Sequence, residues 1–257
     1  MIQGFSELGL QDEYLRTVER LGYTRPTPIQ VETIPLMLGG KDVLAQSQTG
    51  TGKTAAFMLP LLQRLGGATG TPRALVLAPT RELARQVADA AEGLSRGTGI
   101  RVLPVYGGQS YEIQIRALKR GVDVLVGTPG RLLDFIRQDR LDLGRVEMLV
   151  LDEADEMLEI GFIDDVELIL AELPEARQVA LFSATLPAQI QKLAAKYMRD
   201  AARVSINPRQ VTVAETEQRF YRVREETKLT ALCCLLETDE VTSGLIFTRT
   251  KARAQDL

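Results

Sequence analysis

Short continuous apolar runs recur along this chain, and a turn and a helix-like pattern follow each of them. The runs are DVLAQ (42–46), ALVLAPT (74–80), RVLPVYGG (101–108), DVLVGTPG (123–130), MLVLDEAD (148–155), VALFSAT (179–185) and RVSI (203–206). Runs without alternation are typical of strands buried on both faces of a parallel sheet. The alternation of strand and helix patterns therefore predicts an α/β fold, a parallel doubly wound sheet flanked by helices.

The composition excludes several kinds of catalytic site. The 257 residues include no histidine, so Ser-His-Asp, Cys-His and His-ligated zinc chemistry are ruled out. The only cysteines, Cys233 and Cys234, are neighbours and are poorly placed for a structural disulfide. No apolar stretch reaches the length of a membrane span and no secretory signal pattern is present. We therefore expect a cytoplasmic protein without a membrane partner.

The alternation of strand and helix patterns begins again after Pro208. The segment QRFYRV (218–223) predicts a strand, EETKLTALCCLLE (225–237) a helix, SGLIFTRT (243–250) a strand, and KARAQDL (251–257) the beginning of a helix. We predict a first domain over residues 1–207, a linker over 208–215, and an incomplete second α/β unit over 216–257.

A glycine-rich stretch, AQSQTGTGKT, lies between a predicted strand and the helix pattern AAFMLPLLQRL. Gly50 and Gly52 would let successive backbone N–H groups converge on phosphate oxygens. Lys53 would reach the β/γ oxygens, and the Thr54 hydroxyl would bind Mg²⁺. The alternative is a glycine-rich turn with an incidental lysine. The flanking strand and helix favour nucleotide binding.

Four carboxylates follow the predicted strand in LVLDEADEML. Asp152, at the strand end, would face a metal held by Thr54 and the phosphates. Glu153 is placed to orient or deprotonate an attacking water. For Glu156 and Glu159 the simpler interpretation holds, because a helix N-terminus favours acidic residues.

Together, these motifs make the chain resemble the DEAD-box family of ATP-dependent RNA helicases. The matching motifs, in family order, are AQSQTGTGKT (45–54), PTRELA (79–84), YGG (106–108), TPGR (128–131), DEAD (152–155), SAT (183–185) and LIFTRT (245–250). The resemblance covers residues 1–207 almost continuously. It implies a RecA-like fold, ATP and Mg²⁺ as cofactors, RNA as the partner, and ATP hydrolysis coupled to local separation of RNA duplexes.

The resemblance also implies a base-recognition element, because GYTRPTPIQ (22–30) is similar to the family's Q motif. A glutamine amide can donate to N7 and accept from N6 of adenine, so Gln30 would select ATP over GTP. Phe5 or Tyr23 would stack on the base, although the family more often has phenylalanine at the position of Tyr23. The implied nucleotide-binding loop consists of Ser47, Gln48, Thr49, Gly50, Thr51, Gly52, Lys53 and Thr54. Lys53, Asp152 and Glu153 are the implied catalytic residues, with Thr54 and Asp152 holding Mg²⁺ largely through water.

The implied RNA contacts lie where strands turn into helices. They are Pro79, Thr80, Arg81, Gly107, Gly108, Thr128, Pro129, Gly130 and Arg131. Helix N-termini and backbone amides bind phosphates without reading bases, so RNA binding should be sequence-independent. The net charge of −3 does not contradict such binding. Within the family, Asp155, Ser183 and Thr185 couple the acids to RNA-dependent closure. Without the resemblance, each stretch would be an ordinary helix start.

The resemblance further implies that full activity needs a second RecA-like domain, whose arginines stabilise the transition state. The sequence stops soon after LIFTRT, so we expect no RNA-stimulated turnover from this chain alone. We also expect its incomplete last unit either to self-associate or to be mobile. One other class stays open, a nucleotide-responsive RNA-binding module that never turns over. A DNA-directed helicase would share the glycine-rich loop but should lack the GYTRPTPIQ and PTRELA segments. Lys53, Asp152 and Glu153 favour a hydrolase, since a pure binder has little need for a general base.

Overall fold

The computed structural model of the protein describes residues 4–206, 219–238 and 241–257. The chain divides into two compact units, Met1–Thr212 and Val213–Leu257, here called unit 1 and unit 2. The predicted linker at 208–215 lies outside the described residues.

Unit 1 is built on a parallel sheet with the strand order β3-β4-β2-β5-β6-β1-β7. Each predicted apolar run overlaps one strand, and two of the strands begin one residue before their run, so the predicted fold class is confirmed. The strands are β1 (Val43–Gln46), β2 (Ala74–Leu77), β3 (Val102–Val105), β4 (Val124–Gly127), β5 (Met148–Leu151), β6 (Gln178–Ser183) and β7 (Ala202–Ser205).

Helices cover both faces of this sheet. They are α1 (Asp12–Arg20), α2 (Pro28–Leu38), α3 (Lys53–Leu65), α4 (Arg81–Leu94), α5 (Tyr111–Lys119), α6 (Pro129–Arg137), α7 (Ala154–Ile160), α8 (Ile163–Ala171) and α9 (Ala188–Tyr197), with a short 3₁₀ helix at Phe5–Leu8. Successive strand residues point to opposite faces, so Val76 joins the core beneath α1–α4 and Leu75 joins the core beneath α6–α9. This two-sided burial is why the strands are apolar at nearly every position.

The strand order decides which loops are neighbours at the carboxyl edge of the sheet. The loops after β1, β5 and β6 lie side by side, and the Ser47 N–H donates to the Ser183 carbonyl across 3.0 Å. The loops after β2, β3 and β4 form a second neighbouring group. Ligands of open parallel sheets bind at this edge.

Unit 2 contains a 3₁₀ turn (Glu225–Thr227), α10 (Lys228–Thr238) and α11 (Lys251–Gln255). These helices confirm the helix predictions for 225–237 and 251–257. The strand predictions are wrong for 219–223 and 243–250, where the structure has no strand. A strand is completed by hydrogen bonds to a neighbouring strand, and the described part of unit 2 offers none.

No helix within the described ranges is both long and apolar enough to cross a bilayer. The assignment of residues 216–257 to the start of a second domain stays a prediction.

Candidate active site

The glycine-rich loop after β1 has a backbone that demands glycine. Gly50 and Gly52 adopt left-handed φ angles of 81° and 92°, which other residues rarely adopt. A Cβ on Gly52 would also lie 2.6 Å from the Gln30 Nε2 atom. The loop runs directly into the N-terminus of α3, where unpaired backbone N–H groups attract anions. Its shape therefore suits a phosphate group.

Lys53 connects this loop to the acids after β5. Its ammonium donates to the Glu153 Oε1 atom across 2.8 Å and to the Ser47 carbonyl across 3.3 Å. The Thr49 hydroxyl donates to the same Glu153 oxygen across 3.1 Å. Both members of the Lys53–Glu153 ion pair are buried. Breaking such a pair on one side leaves an uncompensated charge, so the two side chains depend on each other.

Asp152 lies at the end of β5 and is 2 % exposed. Its Oδ1 atom is buried and has no hydrogen-bond partner among the described residues. Burial raises the pKa of Asp152 to about 7, against the opposing effect of the Lys53 charge. A buried carboxylate oxygen without a donor fits a hard cation such as Mg²⁺, which binds oxygen ligands. The described residues contain no cluster of three metal-ligating side chains, and Mg²⁺ commonly uses only one or two carboxylates.

Glu153 has a strained backbone. Its φ of 52° places it in the left-handed region at the N-cap of α7. A non-glycine residue persists there only where the surroundings hold it, and such residues cluster at functional sites. The bonds from Lys53 and Thr49 supply that restraint.

The predicted base-recognition residues lie at the same cleft, which has a volume of about 690 Å³. The Gln30 Oε1 atom accepts from the Thr27 N–H across 2.9 Å, and its Nε2 atom donates to the Gly52 carbonyl across 3.1 Å. The rings of Phe5 and Tyr23 are stacked with centroids 6.3 Å apart. The structure therefore brings Phe5, Tyr23, Gln30 and the glycine-rich loop together.

Sequence reasoning missed part of this cleft. Leu83, Gln86 and Ala90 of α4 also line it. Their spacing of three and four residues is a helix-face signal in the segment after PTRELA, but only the packing of α4 beside α3 shows which face meets the cleft.

The predicted coupling residues are in contact. The Asp155 Oδ2 atom accepts from the Thr185 N–H across 2.8 Å and from the Thr185 hydroxyl across 2.9 Å, and the Asp155 N–H donates to the Ser183 hydroxyl. Burial raises the pKa of Asp155, but the hydrogen bonds from Ser183 and Thr185 outweigh it and leave that pKa below its usual value. A strong link therefore joins the loops after β5 and β6.

The predicted RNA contacts lie on the loops after β2, β3 and β4 and on the first turns of α4 and α6. Thr80 caps α4, since its hydroxyl accepts from the Leu83 N–H, and Pro129 is the first residue of α6. Gly107 and Gly108 are exposed in the loop after β3, and Arg81 is exposed beside them, paired with Glu82. These loops form a row beside the cleft at the same sheet edge.

Arg131 differs from Arg81, the other arginine among the predicted RNA contacts, because Arg131 is buried. Only 9 % of it is exposed. Its guanidinium lies 3.9 Å from the centroid of the Tyr111 ring, and its Nη1 atom donates to the Gln109 carbonyl across 3.0 Å. Its side chain is therefore occupied within the protein.

Comparison with known proteins identifies the family. The family model described as DEAD/DEAH box helicase matches residues 27–193, which include the glycine-rich loop, the acids after β5 and the SAT segment. The chain belongs to this family.

Curated relatives in the family are similar along nearly the whole chain. RNA helicase CrhR of Synechocystis sp. is 50 % identical over 254 residues, which cover 98 % of this chain and 51 % of the relative. ATP-dependent RNA helicase DeaD of Escherichia coli K12 is 48 % identical over 248 residues, covering 96 % of this chain and 39 % of the relative. The chain thus spans about half the length of these relatives or less.

A solved structure agrees with the fold. A DEAD box protein from the hyperthermophile Methanococcus jannaschii superposes with a TM-score of 0.78 at 41 % identity, covering 99 % of this chain and 69 % of that one. The predicted RecA-like α/β fold is confirmed.

Proposed function

We propose that this chain carries the ATP-binding and catalytic half of an ATP-dependent RNA helicase. One observation carries the proposal: the Lys53 ammonium, the Glu153 carboxylate 2.8 Å away and the unpaired buried oxygen of Asp152 meet beside a glycine-rich helix N-terminus. Protein groups suited to binding phosphate, to holding a metal ion and to activating water therefore lie in one cleft. The names of the relatives support it, since DeaD is named an ATP-dependent RNA helicase.

ATP binding would separate the Lys53–Glu153 pair. The phosphates would replace Glu153 as the partner of the Lys53 ammonium, while the loop N–H groups hold the remaining oxygens. Glu153 would then be free to accept a proton from water. Thr54 and Asp152 would hold Mg²⁺, which neutralises charge developing on the phosphoryl oxygens when it is bound.

Gln30 retains the hydrogen-bonding capacity that adenine needs. Its carboxamide has two donor hydrogens and two acceptor lone pairs. The bonds to Gly52 and Thr27 use one of each. One donor and one acceptor therefore remain for adenine N7 and N6. Because Gln30 also holds the Gly52 carbonyl, it links base recognition to the phosphate loop.

We also propose that RNA binds across the loops after β2, β3 and β4, through helix N-termini and glycine amides. Such contacts support sequence-independent binding to the RNA backbone. The need for a second RecA-like domain, the cytoplasmic location and self-association through residues 216–257 remain proposals. The exposed apolar residues of unit 2 support the last of these.

The test is RNA-stimulated ATP hydrolysis by two proteins. One is this chain, and the other is a chimera that appends the part of E. coli DeaD that follows its matched segment. We expect stimulation by RNA in the chimera and none in the chain alone. Absence of stimulation in the chimera, despite retained ATP binding, would favour a binding module over a helicase.

Glu153→Gln tests the catalytic assignment in the chimera. The amide keeps the shape of the side chain but cannot accept a proton, so turnover should fall about 10²–10⁴-fold while ATP affinity persists. Glu159→Gln is the matched control, because this exposed acid of α7 should leave turnover unchanged. ATP affinity that falls together with turnover would place Glu153 in binding rather than in catalysis.

A further inference from the structure

The loop after β3 is fixed on both sides of its two glycines. The Gln114 Nε2 atom donates to the Tyr106 carbonyl across 3.1 Å, and the Arg131 Nη1 atom donates to the Gln109 carbonyl across 3.0 Å. Gln114 and Arg131 are 1 % and 9 % exposed. The two glycines between these carbonyls are exposed. Two buried donors thus hold the ends of a segment that presents only backbone.

Arg131 is itself held in place by an aromatic pair. Its guanidinium lies 3.9 Å from the Tyr111 ring centroid and 5.9 Å from that of Phe135. The two rings meet edge to face, with centroids 5.5 Å apart at 82°. The Tyr111 hydroxyl donates to the Asp134 Oδ2 atom across 2.6 Å. The first residue of α5 is therefore clamped onto the first two turns of α6.

We propose that Tyr111, Gln114 and Arg131 are positioning residues that fix the Gly107–Gly108 backbone for RNA, and that Arg131 acts through the Gln109 carbonyl without touching RNA. The proposal rests on the RNA binding proposed above. The guanidinium is already engaged on one face by Tyr111 and at Nη1 by Gln109.

The physical benefit of this clamp is a lower entropic cost of binding. Glycine loses more backbone freedom on ordering than any other residue. A flexible pair of glycines would be ordered only when RNA binds, and the lost backbone entropy would then weaken the binding. A loop that is fixed beforehand avoids that cost, which is the general advantage of preorganisation.

Three substitutions test the clamp by RNA affinity. The probe is a fluorescein-labelled ten-nucleotide oligouridylate, titrated in the presence of a non-hydrolysable ATP analogue. Tyr111→Ala changes no charge, yet it should weaken RNA affinity about 5- to 30-fold, as expected for a cation–π contact of about 1–2 kcal/mol in which the guanidinium is buried and the ring is partly exposed. Arg131→Lys keeps the charge but loses the planar fork, and should weaken RNA affinity similarly. Tyr111→Phe keeps the ring over Arg131 and loses only the hydrogen bond to Asp134, so it should weaken RNA affinity less than Tyr111→Ala does.

Salt dependence separates positioning from direct contact. The logarithm of the association constant for RNA falls linearly with the logarithm of the salt concentration. Loss of one phosphate contact on single-stranded RNA makes this negative slope shallower by about 0.7. We expect this reduction for Arg81→Gln, since Arg81 is exposed beside Gly108. Arg131→Gln should weaken binding with the slope unchanged. A reduced slope in Arg131→Gln, together with parental affinity in Tyr111→Ala, would overturn the proposal.

Two further measurements keep the interpretation clear. Affinity for the ATP analogue should be unchanged in every variant, which shows that the fold is intact. NMR order parameters of the Gly107 and Gly108 amides, in protein without RNA, should fall from about 0.85 to below about 0.6 in Tyr111→Ala. If the parent chain binds no oligouridylate, the RNA proposal fails by itself. The order parameters then decide the clamp, and unchanged values would overturn it.

Discussion

Helices α3 and α10 have similar apolar sequences but opposite environments. Ten of the thirteen residues of α3, KTAAFMLPLLQRL, are buried between the sheet and its neighbours. No residue of α10, KLTALCCLLET, is buried in the described structure. The difference lies in what covers each helix, since α3 has a sheet and two helices beside it and α10 packs mainly on the 3₁₀ turn at Glu225–Thr227.

This contrast shows that apolar composition alone does not stabilise a helix. Isolated helices shorter than about 12–15 residues are marginal in water, and most helix stability in proteins comes from tertiary packing. Unit 1 has two cores, one on each face of its sheet. Unit 2 has none among its described residues.

Hydrogen exchange should give the largest difference between the units. Amides of β2 and β5 open only on global unfolding, at about 5–15 kcal/mol, so they should exchange at least about 10³-fold more slowly than those of α10. Ellman's reagent should also label the exposed Cys233 and Cys234 without denaturant. Strong, concentration-independent protection across α10 would break the comparison.

A matched pair of phenylalanines tests the same contrast by stability. Phe57 is fully buried and lies 5.2 Å from Phe182 between ring centroids, whereas Phe247 is 87 % exposed. Phe57→Ala should cost about 3–5 kcal/mol because it leaves a cavity. Phe247→Ala should stay within about 0.5 kcal/mol. Urea unfolding followed by circular dichroism measures both, and similar midpoints for the two variants would contradict the expectation.

Asp123 directly precedes β4. Its substitution should lower the free energy of unfolding by an intermediate amount that depends on pH. Its carboxylate is fully buried and accepts from the backbone N–H groups of Gly70 and Arg101 across 2.8 and 3.0 Å, and from that of Thr69. Asp123→Asn should cost about 1.5–3 kcal/mol, because the amide places a donor against these donors. Asp256 of unit 2 is exposed and serves as the control. Asp256→Asn should leave the free energy of unfolding unchanged.

The pH dependence has a defined sign. Burial raises the pKa of Asp123, but the backbone hydrogen bonds from Arg101, Thr69 and Gly70 outweigh it, so that pKa is lowered in the folded state. The stabilisation is therefore complete above the unfolded pKa, near 3.9, and is lost as the pH falls through the lowered folded value. Urea titrations from neutral to acidic pH should show the gap between parent and Asp123→Asn closing, whereas a gap that widens on acidification would be inconsistent with it.

The smallest expected difference in stability is between substitutions at two threonine caps of the same geometry. The Thr80 hydroxyl accepts from the Leu83 N–H across 3.2 Å, and the Thr250 hydroxyl accepts from the Arg253 N–H across 3.3 Å. Thr80→Ala should destabilise unit 1 by about 1 kcal/mol. Thr250→Ala should leave the urea midpoint unchanged, since α11 buries no residue. Equal losses would mean that α11 is more strongly supported than its exposure indicates.

The sequence predicted the elements of unit 1 well because two-sided burial leaves a direct signal in apolar runs. The strand order was not predictable from this signal, because β1 and β4 have similar apolar sequences. In the sheet, β1 lies between β6 and β7, whereas β4 lies between β2 and β3. In unit 2 the same signal misled: LIFT is as apolar as a strand, but pairing depends on a neighbour that the pattern does not reveal.

The candidate site was likewise predictable from the sequence only in part. Glycine, lysine and acidic residues at strand ends located the cleft, because parallel strands bring their carboxyl ends to one edge. The burial of Arg131 and the left-handed backbone of Glu153 were not predictable, since both depend on partners distant in sequence or on local strain. The dual bonding of Gln30 depends in the same way on the distant Gly52.

The place of β1 between β6 and β7 has a consequence for biosynthesis. Roughly 130 residues separate β1 from β6, the first of its partners to emerge from the ribosome. At about 5–20 residues per second, β1 waits on the order of ten seconds after its own synthesis before it can pair. The glycine-rich loop that follows β1 must therefore be among the last parts of the sheet edge to take shape, although it is among the first to be made. A nascent chain would gain affinity for nucleotide only when translation of the sheet is nearly finished.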